Sequence, residues 1–254
     1  MGKLRLDQLL VQRGLCETRA KAQARILAGD VLVDDRPVTK AGTAIPEDAP
    51  IRLRGGGLPF VSRGGLKLAG ALEAFGVDPG ERTCFDAGSS TGGFTDCLLQ
   101  RGARRVYAVD VGTNQLHWKL RSDSRVVSLE QVNLRTWDPG RIPERCSLLV
   151  GDLSFISLRL VIPPILASLE GDAEAILLVK PQFEAGRDDV EKGGIVRDPE
   201  VHERVCREIW SFFSATSLRP QALAVSPILG GEGNREFLMH LRMSGVPQDF
   251  PGMP

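Results

Sequence analysis

Lys180 closes the apolar run ILLVK, residues 176–180, immediately before a proline. An amine at the end of a buried strand is costly unless acids pair with it. Two acids stand at comparable places: Asp152 closes LLVGD, and Glu236 opens EFLMHL. Lys67, from an earlier helical stretch, completes a set of four in the order lysine, aspartate, lysine, glutamate. A neutral lysine amine held by carboxylates can remove a hydroxyl proton that does not leave unaided near neutral pH. Lys67 opposes the charged form of Lys180, while the two carboxylates favour it and hold it in place. A structural ion-pair network is the competing reading of these four catalytic candidates.

The stretch FDAGSSTGGFTD, residues 85–96, points to a ligand, because an apolar strand runs straight into glycines and small hydroxyl residues. Its glycines do not follow the G-x-G-x-x-G spacing, so a dinucleotide pyrophosphate is not expected. S-adenosyl-L-methionine suits the stretch better. Its amino-acid end and ribose need backbone contacts and acids, and its sulfonium tolerates nearby carboxylates. Asp86 ends the first strand, facing the methionine ammonium, and Asp110 ends the second, where an acid accepts from ribose hydroxyls. Asn133, beyond the third, meets the adenine edge. Gly88, Ser89, Ser90, Gly92 and Gly93 form the turn, and Val111 and Asp152 border the same cofactor site. Phe94 either borders the ligand or packs in the core. Singly, each acid also reads as a helix cap or loop carboxylate; together, at successive strand ends, they read as one nucleoside site. With that methyl donor, the lysine–acid set suits methylation of a ribose 2′-hydroxyl. The five cysteines lie outside the catalytic positions, so cysteine-dependent base methylation is not expected.

These residues need a frame. From residue 83 onward short apolar runs alternate with helical patterns, the signature of a parallel α/β sheet. The strands are expected at 83–86, 105–110, 126–129, 148–152, 175–180, 221–225 and 236–243. Seven strands with a closing hairpin-like pair give a Rossmann-like methyltransferase sheet. A helix ahead of them carries Leu66, Ala69, Leu72 and Phe75 as its apolar stripe, with Lys67 pointing away. Asp198 and Pro199 start another, with Val201, Val205, Ile209 and Phe212 as its buried stripe. The polar segment 181–198 either closes over substrate or is a plain surface excursion.

Upstream, Leu6, Leu9 and Leu10 fall at helical spacing, and Thr18 caps a second helix running through Ala20, Ala24 and Leu27. VLV (31–33), the turn DDRP and VTK (38–40) suggest a hairpin, so this part reads as a small α+β domain. Residues 1–54 carry ten basic side chains against seven acidic ones. Arg5, Arg19, Lys21 and Arg25, together with Arg63 further on, are the candidate RNA contacts, although a charge run alone is most often a solvated surface. Lys21 and Arg25 share a helix face; Arg19 lies off it. The domains are expected at 1–54 and 65–245, joined by a glycine-rich linker at 55–64.

Overall charge is balanced, with 32 Lys plus Arg against 32 Asp plus Glu, so attraction to nucleic acid must be local. No signal peptide or membrane-length apolar run is present, which predicts a soluble, cytoplasmic protein. Scattered cysteines, odd in number, and three unclustered histidines predict neither a disulfide framework nor a metal site.

The segment from Leu4 to Ile45 resembles the S-four-like RNA-binding domain, through R-L-D at Arg5–Asp7, the T-R-A-K-A-Q-A-R helix and the A-G-x-V-x-V-D turn at Ala28–Asp34. The blocks SRGGLKL, DAGSSTGGFTD, YAVDVG, GDLSFISL, LLVKPQFEAGR and GNREFLMHL resemble, over nearly the whole chain, the TlyA or hemolysin-A-like family. That resemblance implies an FtsJ-type ribose methyltransferase with a catalytic tetrad at Lys67, Asp152, Lys180 and Glu236. It also implies cytidine 2′-O-methylation of ribosomal RNA, with ribosomal RNA or ribosomal subunits as partner. Two alternatives stay open: a non-catalytic RNA-binding assembly factor, and a membrane-active hemolysin, for which the sequence offers little.

Overall fold

The computed structural model describes residues 2–16, 18–53 and 59–254. The chain divides into two compact units, residues 1–57 and 58–254.

In the first unit, β1 (Lys3–Arg5), α1 (Leu6–Gln12) and α2 (Arg19–Leu27) precede four short strands: β2 (Val31–Val33), β3 (Arg36–Pro37), β4 (Ala44–Pro46) and β5 (Ile51–Leu53). The Thr18 hydroxyl accepts from the Lys21 amide and starts α2 as the sequence predicts. The buried face of α2 is Ala22 and Ile26, however, and Leu27 is exposed. Four-residue spacing keeps Ala22 and Ile26 on one side, against Leu6, Leu9 and Leu10 of α1. The hairpin forms through Asp34 and Asp35, both at positive φ, as a two-residue turn matched to strand twist requires. Its second strand is Arg36–Pro37, earlier than VTK.

The second unit is a seven-stranded sheet between two layers of helices. Its elements are α3 (Gly64–Phe75), β6 (Thr83–Ala87), α4 (Gly93–Gln100), β7 (Arg105–Val109), α5 (Trp118–Arg121), β8 (Val126–Leu129), β9 (Cys146–Gly151), α6 (Leu158–Ile165), β10 (Leu169–Val179), α7 (Pro181–Glu184), α8 (Pro199–Ser214), β11 (Leu218–Val225) and β12 (Phe237–Met243). The strand order is β11-β12-β10-β9-β6-β7-β8. Only β12 runs against its neighbours. The seven strands are those expected from the sequence, but β9, β10 and β11 start earlier, and Asp110, Asp152, Lys180 and Glu236 each sit one residue outside a strand.

Side chains alternate between the two faces of the sheet. Cys84, Val106, Leu148, Ile176 and Leu238 meet Leu68, Leu72, Cys97 and Leu98 of α3 and α4. Phe85, Tyr107, Leu149, Leu177 and Met239 meet Ile162, Val205, Ile209 and Phe213 of α6 and α8. Two expected stripes are corrected. On α8 the fourth buried residue is Phe213, with Phe212 only partly covered, and on α3 the buried set is Gly65, Lys67, Leu68, Ala71 and Leu72. Lys67 therefore points into the protein. Residues 54–58 of the expected linker region lie outside the described residues, but residues 59–61 are fastened to α4. The Val61 amide donates to Asp96 Oδ2 at 2.8 Å and Gln100 Nε2 donates to the Pro59 carbonyl at 2.8 Å.

Candidate active site

The parallel strands β6, β7, β9 and β10 all end at one edge of the sheet, and β12, running the other way, begins there. Ligands of open α/β sheets bind at that carboxyl edge. The same edge gathers Gly88, Asp110, Asp152, Lys180 and Glu236.

Lys180 Nζ lies 2.6 Å from Asp152 Oδ1 and donates to Ser154 Oγ at 2.9 Å. Lys67 Nζ lies 2.5 Å from Glu236 Oε2 and 4.0 Å from Asp152 Oδ2. Asp152 thus bridges the two amines. Gln182 Nε2 donates to the other Glu236 oxygen at 3.4 Å. Lys67, Lys180 and Glu236 are buried; Asp152 is partly open. Burial strengthens these pairings, and each charge is matched by an opposite one. Lys67, Asp152 and Lys180 line a cavity of about 280 Å³ that also touches Gly88, Ser89, Gly93 and Phe94.

A second cavity of about 620 Å³ adjoins it, sharing Gly88, Ser90, Asp152 and Ser154, and is walled by Asp110, Val111, Asn133, Leu134 and Phe155. The turn between them depends on Gly88, at φ 81°, where a Cβ would come within 3.0 Å of the Asp152 carbonyl oxygen and of Leu153. The backbone passes closest to the site where no side chain fits. Asp110 Oδ2 accepts from the Ser90 amide at 2.8 Å and Oδ1 from the Gly112 amide at 2.7 Å, which fixes the carboxylate at the cavity wall. Asn133 Oδ1 accepts from the Arg135 amide, and its carboxamide nitrogen is a donor on an exposed residue of the cavity wall.

Asp86 is fully buried beneath the turn. Its Oδ2 accepts from the Thr95 hydroxyl at 2.6 Å, while Oδ1 has no partner among the described residues. Burial, reinforced by the nearby Asp152 and Asp110 carboxylates and offset by Thr95, pushes this carboxyl up to about 7. Phe94 is buried in the core and also lines the smaller cavity.

Residues 60–243 match the FtsJ-like methyltransferase family, and residues 4–51 match the S4 domain. The chain belongs to the TlyA family of FtsJ-like methyltransferases. TlyA of Mycobacterium tuberculosis, named as a 16S/23S rRNA (cytidine-2′-O)-methyltransferase, is 43% identical over 94% of this chain and 90% of its own length. YqxC of Bacillus subtilis, which carries an rRNA methyltransferase name, is 49% identical over 99% of this chain and 90% of its own. Among solved structures, a hemolysin-designated protein of Streptococcus thermophilus superposes with a TM-score of 0.78 at 44% identity, covering 99% of this chain and 92% of that one. All four tetrad positions fall within the FtsJ-like match. Among the described residues, no helix is long and apolar enough to cross a membrane, and no group of three or more His, Cys, Asp or Glu is arranged to hold a metal ion.

The candidate RNA contacts fare unevenly. Arg5 and Arg19 are both turned onto the buried Asp7, at 3.1 and 2.9 Å, with Gln23 donating to it at 2.8 Å. The Arg5 bond, helped by Arg19 and Gln23, holds the Asp7 carboxyl far below the usual range. Both side chains still keep about half their surface, 47% and 51%, open to solvent. Lys21 is exposed and Arg25 partly so, on α2. Arg63 lines the smaller cavity and donates to the Leu229 carbonyl at 2.8 Å.

Four residues at the site carry no clear sequence signal: Ser154, Phe155, Gln182 and Glu184. Phe155 is 89% exposed at φ 64°, a strained backbone for an aromatic residue, and its ring lies 4.9 Å from that of Phe183. Glu184 accepts from Ser157 Oγ at 2.6 Å and the Leu158 amide at 2.7 Å, tying the segment after Lys180 to the start of α6. Asn234 holds the far end of segment 181–198 through the Val196 amide and the Gly194 carbonyl.

Proposed function

We propose that the protein is an S-adenosyl-L-methionine-dependent ribosomal RNA methyltransferase that transfers a methyl group to the 2′-oxygen of a cytidine ribose. The observation that carries this reading is Lys180 Nζ, 2.6 Å from Asp152 and lining a cavity beside a nucleoside-sized lobe. The residues present fit the methyl donor. Asp86 keeps one buried oxygen without a donor among the described residues, and Gly88, whose turn packs against Asp152 and Leu153, lines both cavities. Asp86 with Gly88, Ser89, Gly93 and Phe94 would hold the amino-acid end, Asp110 and Val111 the ribose, and Asn133 the adenine edge.

When bound, S-adenosyl-L-methionine supplies an electrophilic methyl group. The chain's own residues prepare the acceptor. Lys180, as the neutral amine, takes the 2′-hydroxyl proton, and Asp152 positions Lys180 and stabilises the ammonium that results. Lys67 and Glu236 form the second ion pair of the tetrad, which fixes Asp152 from its other oxygen. The exposed Phe155 ring offers a face on which the target base can stack. The amino-terminal unit contributes RNA affinity through Lys21 and Arg25 and the open sides of Arg5 and Arg19, and Arg63 contributes from the edge of the catalytic cavity. The cytidine and ribosomal assignment is supported by the name of the Mycobacterium tuberculosis relative. A ribosomal RNA substrate supports a cytoplasmic location.

Lys180→Ala tests the reading. Transfer of a labelled methyl group to ribosomal RNA is expected to fall at least about a hundredfold, the lower end for loss of a general base, with cofactor affinity by calorimetry within a few fold. Turnover near the wild-type rate would remove Lys180 from the role.

A further inference from the structure

Among the described residues, Ser154 supplies the hydroxyl that the tetrad's proton-accepting amine touches: Lys180 Nζ lies 2.6 Å from Asp152 Oδ1 and 2.9 Å from Ser154 Oγ. A neutral amine carries two hydrogens and one lone pair, at tetrahedral positions around nitrogen. If both hydrogens are directed to oxygen acceptors, the lone pair has a single direction left. Lys180 is buried and lines the smaller cavity, where a substrate hydroxyl can approach the amine. Ser154 itself lines both cavities, at the junction where a ribose hydroxyl and a bound nucleoside must meet.

We infer that Ser154 is a positioning residue: by accepting the second N–H of Lys180 it aims the amine lone pair at the substrate hydroxyl. Asp152 alone does not do this: with one N–H held on its carboxylate, the second hydrogen and the lone pair can exchange between the two remaining tetrahedral positions, and only one of these arrangements presents the lone pair to the substrate. With Ser154 in place the rotor is locked. The hydroxyl proton leaves oxygen, joins Nζ, and turns Lys180 into an ammonium whose other two hydrogens already have acceptors. The Phe183 ring, 5.6 Å from Nζ, faces the same ammonium. The inference rests on Lys180 being the base proposed above.

The test compares Ser154→Ala and Ser154→Thr with Lys180→Ala, using labelled methyl transfer to ribosomal RNA. Ser154→Ala is expected to lower kcat about tenfold or more while KM for RNA and the Kd for S-adenosyl-L-methionine stay within about twofold, since misaim costs rate rather than binding. Its solvent deuterium isotope effect on kcat should rise, because proton removal becomes slower. Ser154→Thr keeps the hydroxyl and should recover most of the rate. Normal kcat in Ser154→Ala, or loss in Ser154→Thr equal to that in Ser154→Ala, overturns the positioning role while leaving Lys180 as base. An active Lys180→Ala enzyme overturns the base assignment itself, and the two failures are thereby told apart.

Discussion

Asp7 and Asp86 are both fully buried carboxylates, one in each unit, and they are opposites. Asp7 receives Arg5, Arg19 and Gln23, which together satisfy both its oxygens. Asp86 receives one hydroxyl, has acids for neighbours, and keeps an oxygen with no donor among the described residues. Buried polar groups in proteins are nearly always satisfied, so the contrast has content. Asp7 is completed by its own fold. Asp86 keeps one oxygen without a partner among the described residues, which supports its proposed role towards the ammonium of the methyl donor.

The largest expected effect that sharpens this contrast is on cofactor binding. Asp86→Ala should weaken S-adenosyl-L-methionine binding by about 2–3 kcal/mol, typical of a hydrogen bond to a charged group, without lowering the melting temperature of the ligand-free protein. Calorimetry and thermal unfolding report the two halves, and unchanged affinity would break the comparison. Asp7→Ala should do the reverse. It removes the acceptor that gathers Arg5, Arg19 and Gln23, and the amino-terminal unit should lose about 1–3 kcal/mol of stability while cofactor affinity stays put.

The pH dependence should have opposite signs. With its carboxyl raised to about 7, folded Asp86 holds a proton that the unfolded chain has already released, so its contribution to stability is full below about pH 4 and declines as pH rises towards 7. Asp7, held low by Arg5, contributes above about pH 4 and loses that contribution as the medium becomes more acid. Melting temperatures across pH 3–8 for Asp86→Asn and Asp7→Asn should each flatten one of these limbs. The smallest effect concerns salt. Arg25→Ala should reduce the slope of RNA affinity against salt by about one unit, as for the loss of one phosphate contact, while Asp86→Ala leaves that slope unchanged.

The sheet was legible because its strands are short apolar runs between helical patterns, and Asp110, Asp152 and Lys180 mark the ends of three of them. Glu236 could be read from the opposite end of its strand for the same reason. Lys67 was placed on the wrong side of α3 for a geometric cause. Residues three apart lag about 60° per step on a helix, so Leu66 and Phe75 lie half a turn from each other and cannot define one face. Phe212 failed likewise, since four-residue spacing from Ile209 leads to Phe213. The satisfaction of Asp7 combines Arg5, two residues before it, with Arg19 and Gln23, one turn apart on α2, and the second pairing crosses between elements that the sequence does not show in contact. Phe155 is harder still: its positive φ comes from the turn after β9, and the sequence LSF gives no glycine or asparagine to signal it.

Strand β12 has a consequence for how the protein is made. It lies between β10 and β11, both synthesised before it, and it delivers Glu236 at its first turn into the sheet. A nascent chain stopped before residue 236 leaves β10 and β11 without their common neighbour, and leaves Lys67 without its closest acid. Completion of the sheet and completion of the tetrad are therefore one event, which follows the synthesis of both β10 and β11.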